Sequence, residues 1–371
     1  MKIAEYSLIK LSACLHISQK NRTFVPEMLC QDIHKAIAPW LDRYRQICVV
    51  VDEAVNVDWA YPTLRITVSE QDKSLETVSR IWDFLLEQHF TRRGLLIAVG
   101  GGVLTDLAGF AAATYKRGID YLNIPTTLLA MVDASTGGKT GCNYHGLKNA
   151  IGAFHAPVET LIYPPFLDTL PSREFLSGFA EMLKTGLIAS SPSERGSEGA
   201  LWYRLLQYDL DTIDTAALAP LIMDCIAVKE RIVAADPDEQ GPRKALNLGH
   251  TFAHALEEIS FVHRTSSLGP LLHGYAVLYG LIAELYLSAT LLGCPREPLQ
   301  QLTQIMLQYY GRPVCKCSDR AQLITLMQQD KKNEHAAEIN CTLLHAIGAP
   351  AINQTVTPAQ AEEALEYLFS L

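Results

Sequence analysis

Two histidines stand four residues apart in Asn247-Leu-Gly-His250-Thr-Phe-Ala-His254. On a helix that spacing puts both imidazoles on one face, where they can converge on one metal ion. The glutamate of an H-E-x-x-H motif is missing, so a zinc-protease reading lacks its general base. A third histidine, His273, opens an apolar stretch as Leu-Leu-His-Gly. Glu181 and Lys184 lie one helical turn apart. That pair could be a surface i,i+3 ion pair, but Phe179, Met182 and Leu183 surround it and favour burial. A lone histidine near an apolar face is more often a core residue. Three histidines with a glutamate on helical neighbours tip the balance to a metal site.

A second group of residues suits anions. Gly100-Gly101-Gly102-Val-Leu-Thr-Asp106 follows an apolar run. Glycines directly after a strand let the backbone approach a pyrophosphate, and the following helix aims free N–H groups at it. The pattern is not G-x-G-x-x-G, and alone it is equally a plain strand-to-helix turn. Gly138-Lys139-Thr140 has the end of a P-loop, but the required first glycine falls on Asp133, which excludes that motif. What remains is a Gly-rich turn presenting Lys139, with Lys148 and Asn149 close behind, either a phosphate cradle or a solvated loop. Asp330-Lys331-Lys332-Asn333 follows a helix and by itself reads as a solvated turn.

These residues need elements to position them. Gln46–Val51, Leu64–Val68, Gly94–Gly100 and Tyr121–Pro125 read as strands, with an amphipathic helix over Ser74–Leu86. Strand–helix alternation argues for a parallel sheet with crossover helices. After about Leu170 the segments Arg173–Ala189, Ala216–Ala234, Thr251–Ile259, His273–Leu292, Pro298–Tyr310 and Pro358–Phe369 read as helices. Only Glu338–Leu344 looks like a strand. A boundary is expected among the prolines near 164–171, giving domains 1–165 and 166–371. The polar stretch Ser190–Gly199 is expected to be an exposed loop.

The composition fits this reading. Of 371 residues, 49% are hydrophobic and 19% charged, which is ordinary for a globular protein with a large core. A net charge of -9 disfavours nucleic acid as a partner, yet leaves room for a local basic cluster. Nine cysteines without disulfide spacing suggest reduced thiols in the cytoplasm. No signal-peptide core opens the chain. The apolar stretch 271–293 carries His273 and Glu284, so it is expected as a buried helix rather than a membrane span.

Taken together, the segments resemble the 3-dehydroquinate synthase family, in order, from about Ile47 to Gly348. Gly100–Phe110, Tyr115–Ile119 and Ile124–Leu129 look like its nucleotide-binding core. Val132–Gly141, Lys148–Phe154, Gly178–Lys184, Leu246–Phe252, Leu272–Gly274 and Asp330–Lys332 look like its active-site segments. One departure is Tyr275, two residues after His273, where the family usually has Glu. It is expected to alter the surroundings of the site rather than remove a ligand. The 190–199 loop also looks longer than typical.

The resemblance implies an α/β fold, with an N-terminal Rossmann-like parallel-sheet domain for NAD and a C-terminal, mainly α-helical domain for metal and substrate. It implies that Glu181, His250 and His273 hold Zn2+, or Co2+, and that His254 faces substrate rather than metal. Asp52, Glu70, Lys73, Gly101, Gly102, Asp106, Thr126, Thr127, Thr169 and Leu170 would line the NAD site, with Asp133 and Lys148 shared between cofactor and substrate. Lys139, Asn149, Lys184, Lys229, Arg243, Asn247, His254 and one of Lys331 or Lys332 would face the substrate. Arg117 would reach the neighbouring site in a homodimer. The implied activity is that of a phosphorus–oxygen lyase of the shikimate pathway, which converts 3-deoxy-D-arabino-heptulosonate 7-phosphate to 3-dehydroquinate and phosphate. Three rivals are another sugar-phosphate cyclase of the 2-deoxy-scyllo-inosose or valiolone type, a metal-dependent polyol dehydrogenase, and a non-catalytic NAD-binding module. Arg243 with Lys229 favours a carboxylated substrate. The many lysines speak against the dehydrogenase, and the retained His and Glu residues against the binding module.

Overall fold

The structure is a computed structural model describing residues 33–135, 137–145, 147–189, 201–263, 270–313, 319–330, 333 and 338–371, with the backbone of 15–17. Lys331, Lys332 and the 190–199 loop lie outside the described residues. The chain divides into two compact units. One comprises Met1–Leu170 with Thr212–Pro220, the other Pro171–Asp211 with Leu221–Leu371.

The first unit contains β1 (Leu15–Ile17), α1 (Ile33–Arg43), β2 (Ile47–Asp52), β3 (Thr63–Ile66), α2 (Leu75–Glu87), β4 (Leu95–Gly100), α3 (Gly102–Thr114), β5 (Asp120–Pro125), β6 (Lys139–Tyr144), β7 (Leu147–Phe154) and β8 (Glu159–Ile162). The sheet order is β1-β8-β5-β4-β2-β3. Five strands run parallel, and β1 joins the edge antiparallel. β2 as far as Val51 and β4 throughout are apolar because both faces are covered. Val50, Leu96 and Ala98 pack with α2 and α3, whereas Val49, Val51, Ile97 and Val99 pack with Ile33 and Ile37 of α1. Ser74 starts α2 by accepting a hydrogen bond from the Thr77 amide.

β6 and β7 form a separate antiparallel hairpin, with Lys139 opposite Phe154 and Tyr144 opposite Leu147. This corrects the expected Gly-rich turn. β7 is exposed along most of its length, so no apolar alternation marked it as a strand.

The second unit contains α4 (Ser172–Ile188), α5 (Leu201–Leu206), most of α6 (Thr215–Ala235), α7 (His250–His263), α8 (His273–Leu291), α9 (Glu297–Ile305), α10 (Arg320–Gln328), β9 (Ile339–Ala346), β10 (Ala349–Val356) and α11 (Pro358–Ser370). β9 and β10 pair as an antiparallel hairpin. The second strand was not foreseen. It carries Pro350, and two register shifts break its alternation.

α8 is the centre of this unit and packs against α4, α7, α9, α11 and β9. It is long and apolar enough to cross a membrane by composition, but 72% of its apolar window is buried in protein. Two glycines bring its neighbours close. A Cβ at Gly274 would fall inside the carbonyl of Ser177 on α4, and one at Gly280 inside the carbonyl of Gly249 just before α7. The Gly274 amide also donates to Ser177 Oγ at 3.0 Å. Inside α8, the buried Glu284 accepts from the Gly249 amide at 2.5 Å, which fixes the start of α7 with a negative charge at its N-terminus.

Gly280→Ala should push α7 and α8 apart. A denaturant titration should show a lower midpoint with unchanged slope, a loss of about 1–3 kcal/mol. A midpoint equal to that of the parent would show that the close approach is not needed.

Candidate metal and nucleotide site

Three helices of the second unit bring together three side chains that could hold a metal ion. Glu181 sits in the middle of α4, His250 opens α7 and His273 opens α8. One donor atom from each lies within 4.8 Å of the others. Nε2 of His273 is 3.2 Å, and Nε2 of His250 3.6 Å, from Oε1 of Glu181. Two donors each about 2.0–2.1 Å from one ion at a tetrahedral angle stand roughly 3.3 Å apart, so these spacings fit a small dication. One carboxylate and two imidazoles also leave ligand positions open for substrate oxygens.

Electrostatics points the same way. Glu181 is 1% exposed, and among the described residues no well-directed hydrogen bond ends on either of its oxygens. Burial alone would raise its pKa, but the ammonium of Lys184 and the ring of His273 outweigh it and hold the carboxyl down to about 2. Lys184, equally buried, lies directly against Oε2. Burial would lower the pKa of His273, but the carboxylates of Glu257 and Glu181 push it up to about 10. A pocket that favours a proton on this ring so strongly also favours a dication in its place.

Each ligand imidazole is held from behind. His250 Nδ1 faces the Leu248 carbonyl at 3.1 Å, and His273 Nδ1 faces Glu257 Oε2 at 3.4 Å. Such contacts fix the tautomer and leave Nε2 as the ligating atom. Glu257 was missed in the sequence, although it follows His250 by seven residues and so shares its helix face. Tyr275 packs its ring against Tyr310 at 4.9 Å, with the Arg173 guanidinium 5.9 Å from it.

Other residues expected at the substrate side lie in the same unit. Lys229 and Arg243 are buried at 8% and 4% exposure. Arg243 Nη1 donates to the Pro237 carbonyl at 2.7 Å. Asn247 Nδ2 donates to Glu239 Oε1 at 3.0 Å, a partner that the sequence reading also missed. His254 Nδ1 lies 3.0 Å from Asp330 Oδ2.

In the first unit, the strand order reverses between β2 and β4: the chain steps outward from β2 to β3, then returns to add β4, β5 and β8 on the other side. The crevice at the carboxyl ends of such a switch point is where open α/β sheets bind nucleotides. Asp52 ends β2, Gly100–Gly102 follows β4, and Thr126 and Thr127 follow β5, so these residues are neighbours there. Gly101 caps α3, and a Cβ on it would come within 3.1 Å of Thr127. Lys73 Nζ donates to Asp106 Oδ2 at 2.6 Å. Asn143, not foreseen, ties three segments together: its amide donates to the Lys73 carbonyl, its Nδ2 to Glu70, and its Oδ1 accepts from the Asn149 amide. Asp133 lies in a wide turn at Ala130–Ala134, and Thr169 and Leu170 end a 3-10 turn at Pro164–Thr169. The hairpin separates Lys139 from Lys148 and Asn149 by about four residues of strand, roughly 13 Å, rather than gathering them in one turn. Arg117 is exposed and is the second of two successive left-handed residues, Lys116 (φ 49°) and Arg117 (φ 66°).

Fold and site together define a class: an enzyme carrying a nucleotide-type parallel sheet and a helical unit with a catalytic-type metal centre. The 3-dehydroquinate synthase N-terminal profile matches residues 63–177 and the C-terminal profile residues 178–333. The chain is 40% identical over 353 residues to a 3-dehydroquinate synthase of Parabacteroides distasonis, covering 92% of this chain and 96% of that one. Among solved structures it resembles the 2-epi-5-epi-valiolone synthase of Streptomyces hygroscopicus with NAD+ and Zn2+ bound (TM-score 0.77, 25% identity, 94% and 99% of the two chains). It also shares its fold with a 2-deoxy-scyllo-inosose synthase complexed with carbaglucose-6-phosphate, NAD+ and Co2+ (TM-score 0.77, 21% identity, 91% and 95% of the two chains). The chain belongs to the 3-dehydroquinate synthase family.

Glu257→Gln should weaken zinc binding about 10- to 100-fold in a chelator competition, because the amide cannot match the carboxylate behind His273. Equal affinity for parent and variant would remove Glu257 from the support of the site.

Proposed function

We propose that the protein converts 3-deoxy-D-arabino-heptulosonate 7-phosphate to 3-dehydroquinate and phosphate, using NAD and a divalent metal. The observation that carries this reading is the sealed carboxylate of Glu181 between two imidazole Nε2 atoms, in a chain matched by the family's profiles from 63 to 333. NAD, when bound, would take a hydride from the C5 alcohol and return it after phosphate has left, and a metal held by Glu181, His250 and His273 would polarise that alcohol.

The chain's own residues do the rest. Lys184 keeps Glu181 ionised and supplies positive charge beside it. The Gly101–Gly102 turn and the amides opening α3 receive the pyrophosphate of the nucleotide, beside Asp52, Thr126 and Thr127. Thr169, Leu170, Glu70, Lys73 and Asp106 complete the cofactor site, and Asp133 and Lys148 serve both cofactor and substrate. Lys139, Asn149 and Lys184 face the substrate, Lys139 from one end of the β6–β7 hairpin and Asn149 from about four strand residues away, roughly 13 Å. Arg243, buried and with Nη1 held by the Pro237 carbonyl, grips the carboxylate through two parallel hydrogen bonds, helped by Lys229. Asn247 and His254 contact the sugar hydroxyls. Elimination needs a base close to the leaving group, and the departing phosphate itself is suited to take the proton while lysines hold it.

We also propose a cytoplasmic homodimer in which Arg117 serves the neighbouring site. Its exposure on a left-handed turn supports that role, and the free, buried Cys48, Cys142, Cys225 and Cys294 suit a reducing compartment. A 2-deoxy-scyllo-inosose or valiolone-type activity would leave Arg243 and Lys229 without a carboxylate to bind.

Incubating the zinc-loaded protein and NAD with the heptulosonate phosphate should release one phosphate per substrate with no lasting NADH absorbance. Phosphate release from a hexose or heptose phosphate lacking the carboxylate, but not from the acid, would overturn the reading. Stoichiometric NADH would point to a dehydrogenase instead.

A further inference from the structure

All three imidazoles around the metal-ligand set have Nδ1 against an oxygen acceptor. The acceptors are the Leu248 carbonyl for His250, Glu257 for His273 and Asp330 for His254. A carbonyl or a carboxylate can only accept, so the neutral ring carries its hydrogen on Nδ1 and keeps a lone pair on Nε2. In His250 and His273 Nε2 is the atom that faces Glu181. His254 stands edge-on to His250, with ring centroids 5.6 Å apart. Its side chain is 40% exposed, whereas that of Asp330 is 5% exposed. The anchored nitrogen therefore faces inward and the ring reaches out.

The anchor is itself fixed. After α10, the Asn333 amide donates to the Asp330 carbonyl at 3.0 Å, and Asn333 Nδ2 donates to the Met327 and Gln328 carbonyls at 2.8 and 2.9 Å. Asn333 Oδ1 accepts from the Asn340 amide at 2.8 Å, and the Asn340 carbonyl accepts from Thr251 Oγ1 at 2.8 Å. Hydrogen bonds thus run from the first turn of α7, through β9, to the turn that carries Asp330. Such a frame holds an imidazole in one plane rather than merely neutralising it.

We propose that Asp330 is a positioning residue that fixes the Nδ1–H tautomer and ring plane of His254, so that Nε2 is offered as a proton acceptor to a substrate hydroxyl. This rests on the function proposed above. Asp330→Asn is the sharpest variant, because its amide can donate to Nδ1 and so favour the opposite tautomer, with hydrogen on Nε2.

In the zinc-loaded enzyme with saturating NAD, Asp330→Asn should lower kcat for phosphate release by about 100-fold or more, with KM changed by less than about threefold. Asp330→Glu should recover part of the loss. Nitrogen-15 spectra of the histidine rings should move the His254 hydrogen from Nδ1 to Nε2 in Asp330→Asn. In a His254→Ala background, Asp330→Asn should change kcat by less than about twofold. An equal loss in that background would mean a structural role and overturn the proposal, as would an unchanged kcat with the hydrogen still on Nδ1. If the parent enzyme releases no phosphate, the functional reading fails, while the ring spectra still decide whether Asp330 sets the tautomer.

Discussion

A carboxylate sealed inside a helical core is tolerated only with positive charge beside it. In this chain that constraint falls on Glu181, and much of the second unit can be understood as meeting it. Lys184, one turn along the same helix, supplies a permanent cation. The imidazoles of His250 and His273 bring their Nε2 atoms to its other oxygen, each from the first residue of its own helix, where a metal ion would add further positive charge. Those helix starts must lie close to α4, and side chains at the crossings would prevent it. Hence Gly274 lies against Ser177, Gly280 against Gly249, and the buried Glu284 ties down the start of α7. A site built on three packed helices holds its geometry better than one on loops, as a ligand set that must accept one ion requires.

The first unit meets a different constraint. A nucleotide's pyrophosphate needs close backbone approach and unpaired amides, and an open parallel sheet offers both where its strand order reverses. The glycine turn after β4 falls at that reversal, between Asp52 and the threonines after β5. The buried apolar strands that put it there have no other chemistry. The polar network centred on Asn143 then links the β6–β7 hairpin to the Glu70–Lys73 segment, so residues distant in sequence share one frame.

Much of this was legible in the residues. Periodicity marked α2, and continuous apolar runs marked β2, β4 and most of α8, because burial dictates those patterns. Spacing alone favoured the wrong histidine pair. His250 and His254 share a helix face, yet the structure places Glu181 and His273 against His250 and turns His254 toward Asp330. Which of two equally spaced side chains meets a partner is decided by helix packing, and packing is not written in i,i+4 spacing. Glu257, and the contact of Asp330 with His254, were hidden for the same reason: each acts on a histidine's far nitrogen, from seven residues beyond His250 or from another element entirely. β10 and the β6–β7 hairpin escaped notice because proline, bulges and solvent exposure erase the alternation on which a strand is recognised.

The most direct test of the account is X-ray absorption at the zinc edge of the metal-loaded protein. It should show two imidazole nitrogens, with a carboxylate oxygen and solvent completing the sphere at about 2.0–2.2 Å. A spectrum requiring three imidazoles, or a thiolate sulfur, would contradict the assignment of Glu181, His250 and His273 as the ligand set.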